Sequence, residues 1–341
     1  MMDLSPHTDL PGHKLTCNES ALLPLRVGYE AVSLESALAE SDVLAVIGFG
    51  RLAPAVHDPR YLRVGLEPQA LPAPLEIWRG RGPVKRGVEG AIRWASDADY
   101  TFAAIELDER AHDGLANAAR SAYEALGAWC SASRSRHVLR IWNYIDAINE
   151  GDGDNERYRL FCAGRAAGMA GLFNKGYPAA TAIGLRDGRR VLQMYWLCAR
   201  RAGMPVENPR QLSSWRYPRR YGPAAPNFAR AMRAPAHPAQ IYISGTAAII
   251  GHASHHADSS TAQFEETLTN LDSLLTAASI ASSAHFGARS AWKVYVRRAQ
   301  DAPLLQALLR ERLGADTPLL LLRGDICRAE LLVEIDGVQN S

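Results

Sequence analysis

Apolar residues fall on two different periods along this chain, and the order in which those periods alternate repeats. Leu115 to Trp129 has helical spacing and leads into His137-Val-Leu-Arg-Ile-Trp142-Asn-Tyr144-Ile145, a strand pattern. About 150 residues later, Phe264, Leu268, Leu271, Leu275 and Ala278 are spaced four, three, four and three, and the strand Ala288-Arg-Ser-Ala-Trp292-Lys-Val-Tyr-Val296 follows. This alignment sets Trp142 on Trp292. Each unit then predicts a second helix and a closing β-hairpin: Ala179 to Leu185 and Arg190 to Leu197 around Asp187-Gly188 in the first copy, Pro318 to Arg323 and Leu331 to Ile335 in the second. A duplicated α/β module is the simplest reading. Setting Pro178 on Pro318 places Met194 where the second copy has Glu334, so one carboxylate in one copy predicts one active site per chain.

Strand-forming runs at Asp42-Val-Leu-Ala-Val-Ile-Gly-Phe49, Tyr61-Leu-Arg-Val-Gly-Leu66 and Leu75-Glu-Ile-Trp-Arg79 add a β-rich extension before the first copy. The expected organisation is a loosely ordered arm over 1–30, a first module with its extension over 31–205, a connecting loop over 206–238, and a second module over 239–341. The connecting stretch carries prolines from Pro205 to Pro238, interleaved with Trp215, Tyr217, Tyr221, Phe228 and six arginines. Such spacing predicts an ordered, packed loop, with an RNA-binding strip as the competing reading. Ser260-x-x-Gln263 predicts a capping box at the start of the helix that follows.

Composition narrows the function classes. A net charge of +2 with scattered basic residues gives no electrostatic footprint for nucleic acid. Only Lys14, Lys85, Lys175 and Lys293 are lysines among 38 Lys+Arg; guanidinium suits bidentate carboxylate binding. Five widely spaced cysteines with no C-x-x-C pair predict neither disulfides nor zinc and fit a reducing cytoplasm. No segment reads as a signal peptide or membrane span, so the expected protein is soluble, cytoplasmic and free of membrane. Gly48-Phe-Gly50 lacks the remaining glycine and helix start of a dinucleotide fingerprint. The loop Gly251-His252-Ala-Ser-His255-His256-Ala-Asp258 reads as hydrogen-bonded rather than metal-binding.

In Leu331-Leu-Val-Glu-Ile-Asp-Gly337, strand alternation points Glu334 and Asp336 away from Val333 and Ile335. With Val333 and Ile335 in the core, Glu334 is a solvent-facing acid; with its own face covered by another module, it is desolvated and becomes a general acid. The pattern leaves both open. Cys327, a few residues away across a turn, is placed in the lining of any pocket there.

Ile243-Ser-Gly-Thr-Ala247, Gln263-x-x-x-x-Leu268-x-Asn270-Leu-x-x-Leu274 and Val333-Glu334-Ile335 resemble the reactive-intermediate deaminase (RidA/YjgF) family, a trimer with sites between subunits. Leu replaces that family's arginine in Pro318-Leu-Leu-Leu-Leu-Arg323, which argues against its imine hydrolysis. A resemblance over about Val43 to Val338 is to the chorismatase family built on the same fold. It is carried by Trp142-Asn-Tyr144-Ile-x-x-Ile-Asn149, Glu156-Arg-Tyr158-x-x-Phe161-x-x-Gly-Arg165, Pro178-Ala-Ala-Thr-x-Ile-Gly184, Tyr217-Pro-x-x-Tyr-Gly-Pro223, Pro226-x-Phe-x-Arg230-Ala and Ile243-Ser-Gly-Thr-Ala-x-Ile-x-Gly-His252.

That resemblance implies an α/β fold of two RidA-like modules, each a mixed sheet with helices on one face. It also implies cleavage of chorismate into pyruvate and a ring product without a cofactor or metal. Glu334 would protonate the enolpyruvyl methylene, and Tyr144, Tyr158, Arg165, Tyr221, Arg230 and Thr246 would bind the two carboxylates and hydroxyl. Ala247 and Cys327 look like features of the branch that forms 3-hydroxybenzoate, with 4-hydroxybenzoate as a second product. The alternatives are a chorismate hydrolase giving 3,4-dihydroxycyclohexa-1,5-dienoate, or a non-catalytic carboxylate- or RNA-binding relative. A monomer with a pseudo-oligomeric core and a homotrimer are both expected forms.

Overall fold

The structure, a computed structural model, describes residues 25–70, 72–174, 176–235, 240–282 and 285–340. Among the described residues, three of the four sheets share one wiring, the fourth being a two-stranded ribbon of Ile249–Ile250 and Ala253–Ser254. The N-terminal set is β1 (Arg26–Glu30), α1 (Leu34–Ala39), β2 (Val43–Phe49), β3 (Tyr61–Val64) and β4 (Leu75–Arg79). The first copy comprises β5 (Tyr100–Asp108), α2 (Leu115–Ala132), β6 (His137–Asp146), α3 (Arg157–Gly168), β7 (Ala179–Leu185) and β8 (Val191–Ala199). The second comprises β9 (Gln240–Ala247), α4 (Ser260–Ala277), β10 (Ser290–Val296), α5 (Ala302–Leu313), β11 (Leu319–Arg323) and β12 (Val333–Asn340). Strand orders β1-β4-β2-β3, β5-β8-β6-β7 and β9-β12-β10-β11 coincide position by position. In each, only the second and third strands of the set pair in parallel. The expected duplication is thus joined by a third, reduced repeat that has one short helix.

The predicted strands form, but not the predicted hairpins. β6 lies between β7 and β8, and β10 between β11 and β12. Asp187-Gly188 does turn the chain, with Gly188 at φ +69° and its N–H donating to Asp146 Oδ1 at 3.0 Å. A turn signal fixes chain reversal locally, whereas pairing follows the free edges: α3 carries the chain over to β7 on one edge of β6, and β8 fills the other.

Two further expectations shift. Residues 1–24 of the expected arm lie outside the described residues, but Leu25 is buried and β1 pairs with β4. Tyr29 there packs on the core and donates to the Trp292 carbonyl at 2.9 Å; Pro24 and Gly28 mask the strand pattern. Ser259, not Ser260, caps α4, accepting from Ala262 N at 3.1 Å. Gln263 instead is buried and bonds Glu330 O and Leu332 N.

One face of each sheet packs on helices. Ile141, Ile145 and Trp196 do so in the first copy, Trp292, Val294 and Ile335 in the second. The opposite faces meet in a single core that contains Ile47, Trp78, Phe102, Trp142, Tyr195, Tyr242 and Tyr295. Trp142 and Trp292 therefore face opposite ways and are not counterparts. Pairing register matches Trp142–Tyr195 to Lys293–Asp336, and Tyr144–Gln193 to Tyr295–Glu334. Gln193, not Met194, occupies the place of Glu334; Met194 points to the helices.

The sheets also exchange edges. Glu67–Pro68, just past β3, pairs with β11, and Asp325–Ile326, just past β11, pairs with β7. At the second crossing a Cβ on Gly324 would lie 2.7 Å from Ile183 Cγ2 and 2.9 Å from Leu66 Cδ2, so only glycine admits the approach. The expected connecting loop is ordered through residue 235: Met204–Val206 and Ala231–Arg233 extend the sheet edge beside β9, and Ser214–Arg216 and Arg219–Tyr221 form single tight turns. Among the described residues no helix is long and apolar enough to cross a membrane.

The centre of the shared core is charged. Lys293 Nζ lies 3.0 Å from Glu76 Oε2 and 3.9 Å from Asp336 Oδ1, and Arg140 Nη2 lies 3.3 Å from Asp336 Oδ2. All four are buried, with Tyr295 and Thr181 hydroxyls donating to Asp336 at 2.9 Å each. Burial alone would lower the Lys293 pKa; Glu76 and Asp336 outweigh it and hold the ammonium charged. Removing one member strands its partner in low dielectric. Lys293→Met should therefore cost about 3–5 kcal/mol in urea unfolding, with Lys293→Met/Glu76→Gln less destabilised than the single variant. A single variant as stable as the parent would show that the pair carries no structural weight.

Candidate active site

A cavity of about 350 Å³ opens where the first and second copies meet. β7 supplies Ala180, Thr181 and Ala182, and α3 supplies Tyr158 and Arg165. β9 and β12 supply Gly245, Ala247 and Glu334. The connecting segment closes one side with Tyr217, Arg220, Tyr221, Phe228 and Arg230, and the turn between β11 and β12 closes another with Cys327, Arg328 and Glu330. A volume of a few hundred Å³ fits a small metabolite.

Glu334 answers the question that strand alternation left open. Val333 and Ile335 do face the helix-side core, yet Glu334 is only 4% exposed because the first copy covers its face. The β9–β12 register slips between Ile243 and Thr246, and the carboxylate lies over the slip at Gly245. A Cβ on Gly245 would stand 1.9 Å from Glu334 Oε1. No described group donates a hydrogen bond to the carboxylate. Burial, followed by the charge of Asp336, pushes its pKa up to about 8 against the opposing Arg140, Arg230 and Arg297. At neutral pH it is an acid that keeps its proton, within a wall of cations.

Those cations are pre-set. Arg230 Nη2 donates to Leu212 O and Tyr217 Oη, both at 2.8 Å, and Arg165 Nη2 donates to Asn227 O at 2.9 Å. Both guanidinium groups are nearly buried, and each keeps an unpartnered Nε. Arg328 stacks 4.0 Å over Tyr221 and donates to His252 O at 2.9 Å. Arg220 and Tyr221 reach His252 Nδ1 at 2.8 and 3.2 Å, so this histidine of the polar loop serves the cavity rim. An orienting scaffold of this kind binds anionic groups bidentately with little reorganisation.

Cys327 lines the cavity, its thiol pKa raised by burial and by the charge of Glu334; Cys162 behind it is pushed up to about 11 by burial. Neither is a ready thiolate. Burial also raises the Tyr158 phenol well above its usual value, leaving a neutral hydroxyl.

Of the residues singled out from sequence, Glu334, Cys327, Tyr158, Arg165, Tyr221, Arg230 and Ala247 converge on this cavity. Tyr144 and Thr246 do not line it. Tyr144 is fully buried in the shared core beside Tyr195, 3.4 Å between hydroxyls, because strand alternation on β6 carries it to the inner face. Thr246 is turned back by the slip in β9, its hydroxyl donating to Ser244 O at 3.0 Å. Arg328, Arg220, Arg159 and Thr181 line the cavity without having been singled out. The signal for Arg328 was its place directly after Cys327; for Thr181, membership of Pro178-Ala-Ala-Thr.

Residues 76–198 match the family described as chorismatase FkbO/Hyg5-like, N-terminal. The chain is 35% identical over 277 residues to a 3-hydroxybenzoate synthase of Streptomyces hygroscopicus, covering 77% of this chain and 80% of that one. It is 34% identical over 280 residues to a chorismatase of Streptomyces rapamycinicus, covering 77% and 81%. A chorismatase crystal structure superimposes with a TM-score of 0.81 at 30% identity, over 92% of this chain and 97% of that one. The resemblance read from the motifs holds over most of the chain, and the protein belongs to the chorismatase family.

Proposed function

We propose that this protein cleaves chorismate to pyruvate and 3-hydroxybenzoate, with 4-hydroxybenzoate as a second product, and that Glu334 delivers the proton that starts the reaction. The observation that carries this reading is a carboxylic acid, with its pKa near 8, buried in a cavity whose other charged groups are mostly arginines. Family membership and the relatives named 3-hydroxybenzoate synthase and chorismatase support it. Chorismate carries two carboxylates, for which the cavity-lining Arg165, Arg230 and Arg328 are suited donors. Tyr158 and Tyr221 supply neutral hydroxyls for the ring substituents.

The enolpyruvyl methylene is a weak base, so it needs an acid that is still protonated at working pH. Glu334 gives its proton to that carbon, and positive charge develops at the adjacent ether carbon. The neighbouring ring hydroxyl captures this carbon, forming a new C–O bond. Aromatisation then breaks the bond between that oxygen and the ring and releases a ring proton, which restores the acid; the hemiketal left behind collapses, its original ether C–O bond breaking as the phenol oxygen takes the hydroxyl proton and leaves. Pyruvate keeps the migrated oxygen, and no water is consumed. Capture by water instead would give the diene diol acid of a hydrolase. Ala247 and Cys327 both line the cavity that holds Glu334, and these side chains, which offer a water molecule little to bind, favour the internal hydroxyl. No step calls for a cofactor.

Incubating the purified protein with chorismate should release equal amounts of pyruvate and hydroxybenzoate, mainly the 3-isomer by chromatography and mass; a non-aromatic diol as main product would assign the hydrolase chemistry. Glu334→Gln should lower kcat by at least about a hundredfold, with chorismate binding by calorimetry retained.

The titration has a definite sign. Since the protonated form of Glu334 is required and its pKa in the free protein is about 8, kcat/KM should hold through neutral pH and fall as pH rises past about 8. A rate that instead rises across that range would contradict the acid role. The same raised pKa means that folding favours the protonated acid, a contribution fully present below the ordinary glutamate range and lost as pH climbs through about 8. Glu334→Gln should thus melt higher than the parent at pH 9 and show no such advantage at pH 4. Gly245→Ala, which drives a methyl into the Glu334 carboxylate, should abolish pyruvate release while Thr246→Val leaves it within about threefold.

A further inference from the structure

The turn that carries Cys327 and Arg328 is gripped on both sides of Cys327 by one arginine. Arg297 follows β10 directly, does not line the cavity, and spends all three of its nitrogens on that turn and its anchors. Nε donates to Leu331 O at 2.7 Å, and Nη2 to Ile326 O and Arg328 O, both at 2.8 Å. Nη1 donates to Asp325 Oδ1 at 2.8 Å and to Asn149 Oδ1 of the first copy at 3.0 Å. The accepting carbonyls flank Cys327 on both sides. One guanidinium therefore ties the cavity wall to both copies at the point where the chain crosses between their sheets.

We infer that Arg297 is a positioning residue that sets the product of the reaction by fixing the Cys327–Arg328 wall. The inference rests on the function proposed above. The wall bounds the space next to Glu334 where the cation formed on protonation is captured. If it recedes, water enters and competes with the ring hydroxyl. Arg328 would move with it, since its carbonyl is an Arg297 acceptor while its guanidinium reaches His252 O and Ser254 Oγ at 2.9 and 3.0 Å. Only a planar fork with five donors can meet these acceptors together. An ammonium has three donors in another geometry, so Arg297→Lys keeps the charge that Glu334 senses and discards the clamp.

The test compares the parent, Arg297→Lys and Asn149→Ala, with folding checked by circular dichroism. With Arg297→Lys, chorismate KM should stay within about threefold while kcat falls roughly ten- to a hundredfold, and the mixture should shift from hydroxybenzoate toward the water-captured diol. Alkylation of Cys327, followed by peptide mass spectrometry, should quicken. The milder Asn149→Ala, which removes one acceptor, should shift the mixture in the same direction, and it decides the matter if Arg297→Lys does not fold. An unchanged product ratio in a folded variant overturns the inference, whatever the alkylation rate. Absence of pyruvate from the parent is a separate result: it refutes the function, and the specificity role falls with it.

Discussion

Four buried charges at the meeting point of the three sheets constrain the rest of the molecule. Glu76 comes from the N-terminal set, Arg140 from the first copy, and Lys293 and Asp336 from the second. Two positive and two negative groups balance, and their hydrogen bonds reach Trp78, Thr181, Tyr195 and Tyr295. Such a network is stable only when all members are in register, so it specifies how the sheets are assembled more than it adds to stability. It also sets the chemistry. Asp336 lies two residues from Glu334 on the same face of β12, and its charge, added to burial, keeps the Glu334 proton in place.

Three repeats of one sheet create three junctions, yet the described catalytic features converge on one. The N-terminal repeat has no counterpart of α3, the helix that brings Tyr158 and Arg165 to the cavity. At the position of Glu334 the first copy holds Gln193, whose amide is spent on Arg63 O and Glu106 Oε1 at 3.0 and 2.7 Å. The connecting segment supplies Tyr217, Tyr221 and Arg230 at the junction between the first and second copies. Divergence of the repeats has thus concentrated the acid, the cations and the lid in one place, while the other repeats support the core.

The duplication was legible because helix and strand periods survive drift in individual residues, and the motif blocks around Tyr158, Arg165, Arg230 and Glu334 located most of the cavity. The third repeat was hidden: α1 has six residues, too short for a period to register, and β1 sits beside a proline and contains a glycine. Pairing was misread where a turn signal was taken for a hairpin, since Asp187-Gly188 reports a reversal and nothing about the strand that inserts between. The facing of Tyr144 and the turning of Thr246 depend on the shared core and on a β-slip, neither of which leaves a mark in local sequence. For Glu334 the alternation was read correctly and the covering face was the missing fact, which only the tertiary assembly supplies.

An interface carboxyl holds its proton at neutral pH because the first copy covers its face of the second and Asp336 opposes its ionisation. The most direct measurement is an infrared difference titration of the resting protein against Glu334→Gln, following the carboxylic acid C=O band of Glu334. The account predicts a protonated band at pH 7 that disappears with a midpoint near pH 8. A carboxylate already ionised at pH 6 would contradict it.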